Sequence, residues 1–268
     1  STTGDLIIEE GTTGFTYDVL TAKIPVPLEE YNAVLGIEER KERLTENDFI
    51  LSTSYSFSKT TKTDLKDNTF YQFRTKIESA GSVLSLIANA SNLPKNQNGN
   101  YEIFNLEYSE YIKTEFDYVK YWDFSKEKVL AVRTFFGIAI PYGNSNYIPF
   151  SRCYFAGGSN DNRAWEPYRL GPGSTGAIFD FNEANMKIAL SAEFRFKIAG
   201  KIKGALFADA GNIWNVLDNT TYEPATFDGI EDLKEIALGT GFGLRYDLDF
   251  FVVRFDLGFK TFNPANEM

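Results

Sequence analysis

Lys187 to Ile198 reads KIALSAEFRFKI, and its apolar and polar residues take turns. Ile188, Leu190, Ala192, Phe194, Phe196 and Ile198 fall on one side; Lys187, Ser191, Glu193, Arg195 and Lys197 fall on the other. A period of two marks a strand with one apolar and one polar face. In Glu235 to Leu248, Ile236, Leu238, Phe242, Leu244 and Tyr246 oppose Glu235, Gly239, Gly241, Gly243, Arg245 and Asp247. In Phe251 to Lys260, Phe251, Val253, Phe255, Leu257 and Phe259 oppose Arg254, Asp256 and Lys260. A soluble sandwich alternates too, but strands in globular proteins average about 5–6 residues. These stretches approach the roughly 9–11 residues that cross a membrane when tilted. Aromatics near strand ends, Tyr121-Trp122, Trp214 and Phe250-Phe251, suit the two interfacial girdles. The pattern favours an all-β transmembrane antiparallel β-barrel; the sandwich is its rival.

Upstream, the same alternation begins at Asp48, where Phe49, Leu51, Thr53, Tyr55 and Phe57 oppose Ile50 and Ser52, Ser54, Ser56 and Ser58. After a polar turn, Tyr71, Phe73, Thr75 and Ile77 oppose Gln72, Arg74, Lys76 and Glu78. Tyr101 to Trp122 reads as one long strand, and Lys128 to Ile140 as the next. Phe15 to Pro25 is an irregular strand candidate, and Leu28 to Asn47, which contains EERKER, reads as a short solvated helix. Ser79 to Asn100 reads as a loop with apolar Val83 to Ile87 inside it. The strands number about nine, whereas a closed single-chain barrel has an even number. Residues 1–268 are therefore expected to be a single, incomplete barrel domain, with the first strands and the last strand outside this sequence. They are also expected to be an internal portion of a longer precursor, since STTGDLIIEE has neither the basic start nor the apolar run of a signal peptide.

Composition narrows the chemistry. The 268 residues include 24 Phe and 15 Tyr, too aromatic for a disordered chain. A net charge of −10 argues against a nucleic-acid partner, which would call for a basic stripe. No residue is histidine, which removes the commonest general base and metal ligand, so no enzyme, metal or cofactor is expected. The single cysteine, Cys153, excludes an intrachain disulfide and any multi-cysteine metal site. No run of about 18 apolar residues is present to span a membrane as a helix, a test that strands escape.

Residues 147–174, YIPFSRCYFAGGSNDNRAWEPYRLGPGS, carry too many turn formers for one helix or strand. Gly157-Gly158, the polar run from Ser159 to Asn162, and Gly171-Pro172-Gly173 each favour turns. Between them sit Arg163 and Trp165, a fixed donor fork and a large ring that a solvated loop rarely needs. Long ordered loops are usually functional.

The piece FAGGSNDNRAWEPYRLGPGS resembles the inward-folded loop of the BamA/TamA family of outer-membrane assembly proteins, in which an Arg-Gly-aromatic tip follows a glycine-rich lead. Here the tip is Asn162-Arg163-Ala164-Trp165, with Ala164 in place of the usual Gly. PYGNSNYIPFSRCYFAGG, MKIALSAEFRF, GALFADAGNIW and ALGTGFGLRYDLDFFVVRFDLGF resemble the family in the same order. The resemblance covers most of the region from Asp48 to Pro264, and its combination is specific where each piece is weak.

It implies the C-terminal portion of a sixteen-stranded barrel in the bacterial outer membrane, with residues 147–174 folded into the lumen. It implies an inward Glu at Glu193 and a Phe-x-Asp-x-Gly element at Phe207 to Gly211, with Asp209 its acid. Independently, an arginine inside a lumen keeps its charge and needs a carboxylate. A bidentate Arg163–Asp209 contact supported by Glu193 would pin the loop, with Trp165 wedged against the wall. The alternatives are a solvated Arg163, an Asp209 that caps a turn, and a Trp165 that anchors at the interface. Gly239-x-Gly241-x-Gly243 lacks the strand-then-helix setting of a phosphate loop and reads as space for the plugged loop or for substrate. The partners implied are nascent outer-membrane β-barrel clients, periplasmic or lipoprotein accessory subunits, and outer-membrane lipid. A two-partner-type secretion pore of the same superfamily is the first alternative, and an unrelated porin the second.

Overall fold

The computed structural model describes residues 12–23, 47–64, 67–125, 127–177, 182–220, 222–248 and 250–266. The strands are β1 (Thr12–Lys23), β2 (Asn47–Thr60), β3 (Tyr71–Ala80), β4 (Glu102–Ile103), β5 (Leu106–Glu107), β6 (Tyr111–Ser125), β7 (Lys128–Pro141), β8 (Met186–Ala199), β9 (Ile202–Trp214), β10 (Ala237–Asp247) and β11 (Val252–Phe262). Among the described residues, one nine-stranded sheet, ordered β1-β2-β3-β6-β7-β8-β9-β10-β11, holds all but the small β4–β5 hairpin. Every pairing in that sheet is antiparallel, so neighbours in the chain are neighbours in the wall. Connections at one end are short, as at residues 200–201 and 248–251; those at the other are long, as at 81–110, 142–185 and 215–236. Bacterial barrels keep short turns on the periplasmic side and long loops outside, which fixes the orientation.

From β2 onward, the register aligns the alternation of the strands into two continuous faces. Tyr55, Ile77, Phe116, Phe136, Leu190, Leu206, Phe242, Leu257 and Phe259 occupy one face and are all exposed. An uncovered apolar surface that runs from β2 to β11 is far larger than a soluble monomer tolerates. It is the lipid-facing belt of a barrel. The opposite face carries the charges and is covered by the 142–185 connection. Two buried clusters form there. Ile50, Ala80, Tyr111, Ala139 and Ile148 make one, with Cys153 packed against them. Tyr154, Ala156, Trp165, Leu170, Ala184, Ile213 and Ala237 make the other.

Three expectations need correction or bounding. The apolar run inside the expected Ser79–Asn100 loop is a helix, α1 (Ser82–Ala90), because Val83, Leu86, Ile87 and Ala90 recur at helical rather than strand spacing. Tyr101 to Trp122 is not one strand. Phe104 and Asn105, both at positive φ (55° and 61°), fold the β4–β5 hairpin, and β6 starts only at Tyr111. Asn96, Asn98 and Asn100 donate their amides to Glu107 and hold that hairpin down. The helix expected over Leu28 to Asn47 lies, over residues 28–46, outside those described, and Asn47 itself opens β2.

Candidate functional site

The 142–185 connection lays its turns on the polar face. Gly157 (φ 96°), Gly158 (φ 102°), Gly171 (φ 74°) and Gly173 (φ 49°) all adopt positive φ, which favours glycine. At Gly157 the requirement is double, since a Cβ there would lie 2.2 Å from the Glu166 carbonyl oxygen. Asp161 closes the turn by accepting the Gly157 N–H at 2.7 Å, and the Gly158 N–H donates to the Trp165 carbonyl at 2.8 Å. Trp165 thereby swings into the second cluster, 4% exposed, rather than to an interface. Ala164 is not among the residues at positive φ, so its Cβ carries no backbone penalty.

Arg163 is the centre of the arrangement. Its Nε donates to Asp209 Oδ2 at 2.7 Å and its Nη2 to Asp209 Oδ1 at 2.8 Å, a two-pronged contact. Its own backbone N–H reaches Asp209 Oδ2 at 3.2 Å, and Nη1 donates to Glu193 Oε2. Ser191 Oγ also donates to Asp209. The guanidinium lies 3.6 Å from the centre of the Phe207 ring, a cation–π contact from below. The side chains of Arg163, Asp209 and Glu193 are 6%, 2% and 9% exposed. Burial acts against the Arg163 charge, yet the hydrogen bonds and charges of Asp209 and Glu193 outweigh it and raise its pKa.

The structure thus brings together Arg163, Asp209 and Glu193, and places Trp165 one turn away. It adds residues that the patterning placed on the polar faces without assigning them to the site. Asp256 on β11 lies 3.9 Å from Arg163 Nη1 and accepts from Arg245, which itself stands 3.2 Å from Glu193. Arg195 donates to Glu193 at 2.6 Å, and Arg254 pairs with Asp256 at 3.0 Å. Three carboxylates therefore meet four guanidiniums in one connected network, in which Arg163 and Arg245 are buried and need their partners, while Arg195 and Arg254 are partly exposed. Arg245 and Asp256 were legible as inward residues from alternation alone. Their meeting with Arg163 was not.

A slot of small residues receives the tip. A Cβ on Gly239 would stand 2.4 Å from Asn162 Oδ1 and 2.7 Å from Ala164 Cβ, and one on Gly258 2.9 Å from the Arg163 carbonyl oxygen. Gly241 makes room for the Phe207 ring, which a Cβ would approach to 2.4 Å. The wall has no space for side chains where the backbone of the loop comes closest.

Arg133 and, again, Arg254 hold the loop's outer turn from distant strands. Arg133 on β7 pairs with Asp117 (2.9 Å) and donates to the Asn160 carbonyl at 3.2 Å; Arg254 on β11 donates to the Ser159 carbonyl. Both are partly exposed, so either single change to Ala is expected to cost under about 1 kcal/mol. The Arg133→Ala/Arg254→Ala double variant is expected to speed amide exchange at Gly158 to Asp161 while Arg163 to Trp165 stay protected. Hydrogen-exchange mass spectrometry checks this, and unchanged exchange across both segments would show that these donors hold nothing.

The Omp85 superfamily domain model matches residues 9–268. Over 98 residues, 32% of its length, the chain is 35% identical to the outer membrane protein assembly factor BamA of Neisseria meningitidis serogroup B, of which this covers 11%. It also resembles the crystal structure of BamA from Haemophilus ducreyi lacking POTRA domains 1-3, at 13% identity and a TM-score of 0.47, over 92% of this chain and 55% of that one. The chain thus spans about half the length of the solved relative and about a tenth of the curated one. The family match and the uncovered apolar belt make this an integral β-barrel of the bacterial outer membrane. By the match over residues 9–268, the chain belongs to the Omp85 superfamily.

Proposed function

We propose that this chain is the barrel of an assembly and insertion factor of BamA/TamA type, in which outer-membrane proteins acquire their strands. The observation that carries this reading is the 35% identity to an assembly factor. In the proposed mechanism the barrel parts at a weakly paired seam, and a client strand pairs with the exposed edge. Unpaired strand edges template other strands, and main-chain hydrogen bonds supply the affinity. The rest of the wall must then keep its shape while one seam opens. The 142–185 connection is suited to that task, because it reaches from Glu78 on β3, through Arg152 at 3.6 Å, to Arg254 on β11. Arg163, Asp209 and Glu193 form the clamp at its centre. Clients enter as unfolded β-barrel chains, with periplasmic or lipoprotein subunits as helpers.

The test is reconstitution of the intact protein in lipid vesicles with an unfolded barrel client. Client folding, read as heat-modifiable gel migration, is expected to run several-fold faster than in empty vesicles. If folding is not accelerated while a soluble partner is carried into the vesicles, the protein is a secretion pore instead.

A further inference from the structure

Helix α1 is amphipathic in the reverse sense for a helix beside water. Val83, Leu86 and Ile87 are exposed, and with Ala90 they form an i, i+3, i+4, i+7 stripe on its outer side. Its polar groups are spent on the protein instead. Ser82 Oγ meets Ser79 Oγ and lies 2.7 Å from Tyr142 Oη. Ser85 Oγ donates to Glu110 Oε2 at 2.7 Å, and Asn89 accepts from Tyr101 Oη at 2.8 Å. No residue of SVLSLIANA is charged, although 24% of the chain is. A solvated surface helix would present charges where this one presents Leu86 and Ile87.

The position of α1 shows what its stripe faces. Ser79 alternates with buried Ala80 and follows exposed Ile77, so it belongs to the lipid-facing side of β3, and α1 starts beside it. Phe104, at the tip of the β4–β5 hairpin, is 86% exposed and packs edge-on against Phe49, 6.3 Å away. Phe49 alternates with buried Ile50, which also puts it on the lipid side. Helix and hairpin tip therefore hang over the outer edge of the wall at its extracellular end, above Ile77 and Ile112 of the belt. A continuous apolar stripe placed at that height matches the apolar face of an interfacial helix, while the polar side of α1 bonds to the protein rather than carrying charges to lipid headgroups.

We propose that α1 and Phe104 form a lateral anchor that lies in the outer leaflet of the outer membrane, with Val83, Leu86, Ile87 and Phe104 among the lipid chains. The occupant of the stripe is lipid, not protein, and apolar burial rather than charge attraction holds it there. The anchor fixes the height of the 81–110 connection beside β2, β3 and β6. This reading does not depend on whether the barrel assembles or secretes its partners.

Nitroxide labels test it in the intact protein, reconstituted in phosphatidylcholine vesicles in a Cys153→Ser background. Labels at Leu86→Cys, Ile87→Cys and Phe104→Cys are compared with Leu206→Cys in the belt and Gln97→Cys in the polar loop. The anchor predicts that oxygen relaxes the Leu86, Ile87 and Phe104 labels more than an aqueous nickel chelate does, as at Leu206, with no change when salt is raised. Labels relaxed mainly by nickel, as at Gln97, would overturn it, because the stripe then faces water. Labels reached by neither reagent would overturn it too, because another part of the protein then covers the stripe. If Leu86→Cys fails to fold, as judged by gel migration, Val83→Cys gives the same reading from the same stripe.

Discussion

Asp209→Asn is expected to lower the heat resistance of the folded barrel and to slow client assembly. Asp209 receives the Arg163 Nε, Nη2 and backbone N–H and the Ser191 hydroxyl, and both of its oxygens are used. An amide keeps one acceptor oxygen and turns an NH₂ donor toward the guanidinium, so at least one Arg163 N–H loses its partner in a buried place. Arg163→Ala produces the mirror defect, leaving Asp209 without its cation and Glu193 with one cation fewer. Breaking one side of a buried pair typically costs about 3–5 kcal/mol, because the remaining charge is left uncompensated. Neutralisation is only partial for Arg163→Ala, since Arg195 and Arg245 still reach Glu193. The Asp209 side of the contact should therefore dominate the loss. The Arg163→Asp/Asp209→Arg exchange is expected to recover part of it, limited by the long side chain now on the wall. Unfolding followed by gel migration against temperature, together with the client folding rate, provides the readout. Single variants that melt and assemble clients like the parent would remove the clamp from the mechanism.

Gly239→Val is expected to produce a comparable loss without touching any charge. Its Cβ would stand within 2.4 Å of Asn162 Oδ1 and 2.7 Å of Ala164 Cβ, closer than real contacts allow, so the loop tip must lift. Overpacking alone costs about 1–3 kcal/mol, and lifting the tip adds the loss of the Arg163–Asp209 contact. Because both variants break the same contact, Gly239→Val combined with Arg163→Ala should fall well short of the sum of the two. Thr240→Val is the control, since Thr240 points to the opposite face, where it meets Thr261 Oγ1 at 2.7 Å. If Gly239→Val leaves melting unchanged, the slot is not where the tip seats.

Much of the wall was readable before any coordinate. Each strand's alternation depends on the pleat, a local property of two residues per repeat, so KIALSAEFRFKI announces its two faces without help from its neighbours. The glycines at Gly157, Gly158, Gly171 and Gly173 were likewise visible as turns, because their backbone freedom is intrinsic. Two local readings failed where a longer-range factor entered. Val83 to Ile87 looked like loop until helical spacing was allowed to compete, and the strand expected from Tyr101 was cut by a turn that asparagines hold from outside it.

The inner network lay beyond that reach. Alternation says that Arg245, Arg254 and Asp256 point inward, but not how high each stands or which charge it meets. Those relations depend on the register of four strands, β8 to β11, and on a loop that returns across them, and the contacts of Arg163 with Glu193, Asp209 and Asp256 join residues separated by 30, 46 and 93 positions in the chain. Sequence alone set the two faces of β2, β3, β8, β10 and β11 and the turns of the loop, since both arise from the backbone geometry of adjacent residues. Only the tertiary structure decided which carboxylates receive Arg163, where the glycine slot lies, and that α1 turns its apolar side outward. Each of these is a meeting between distant segments, and no local preference encodes it.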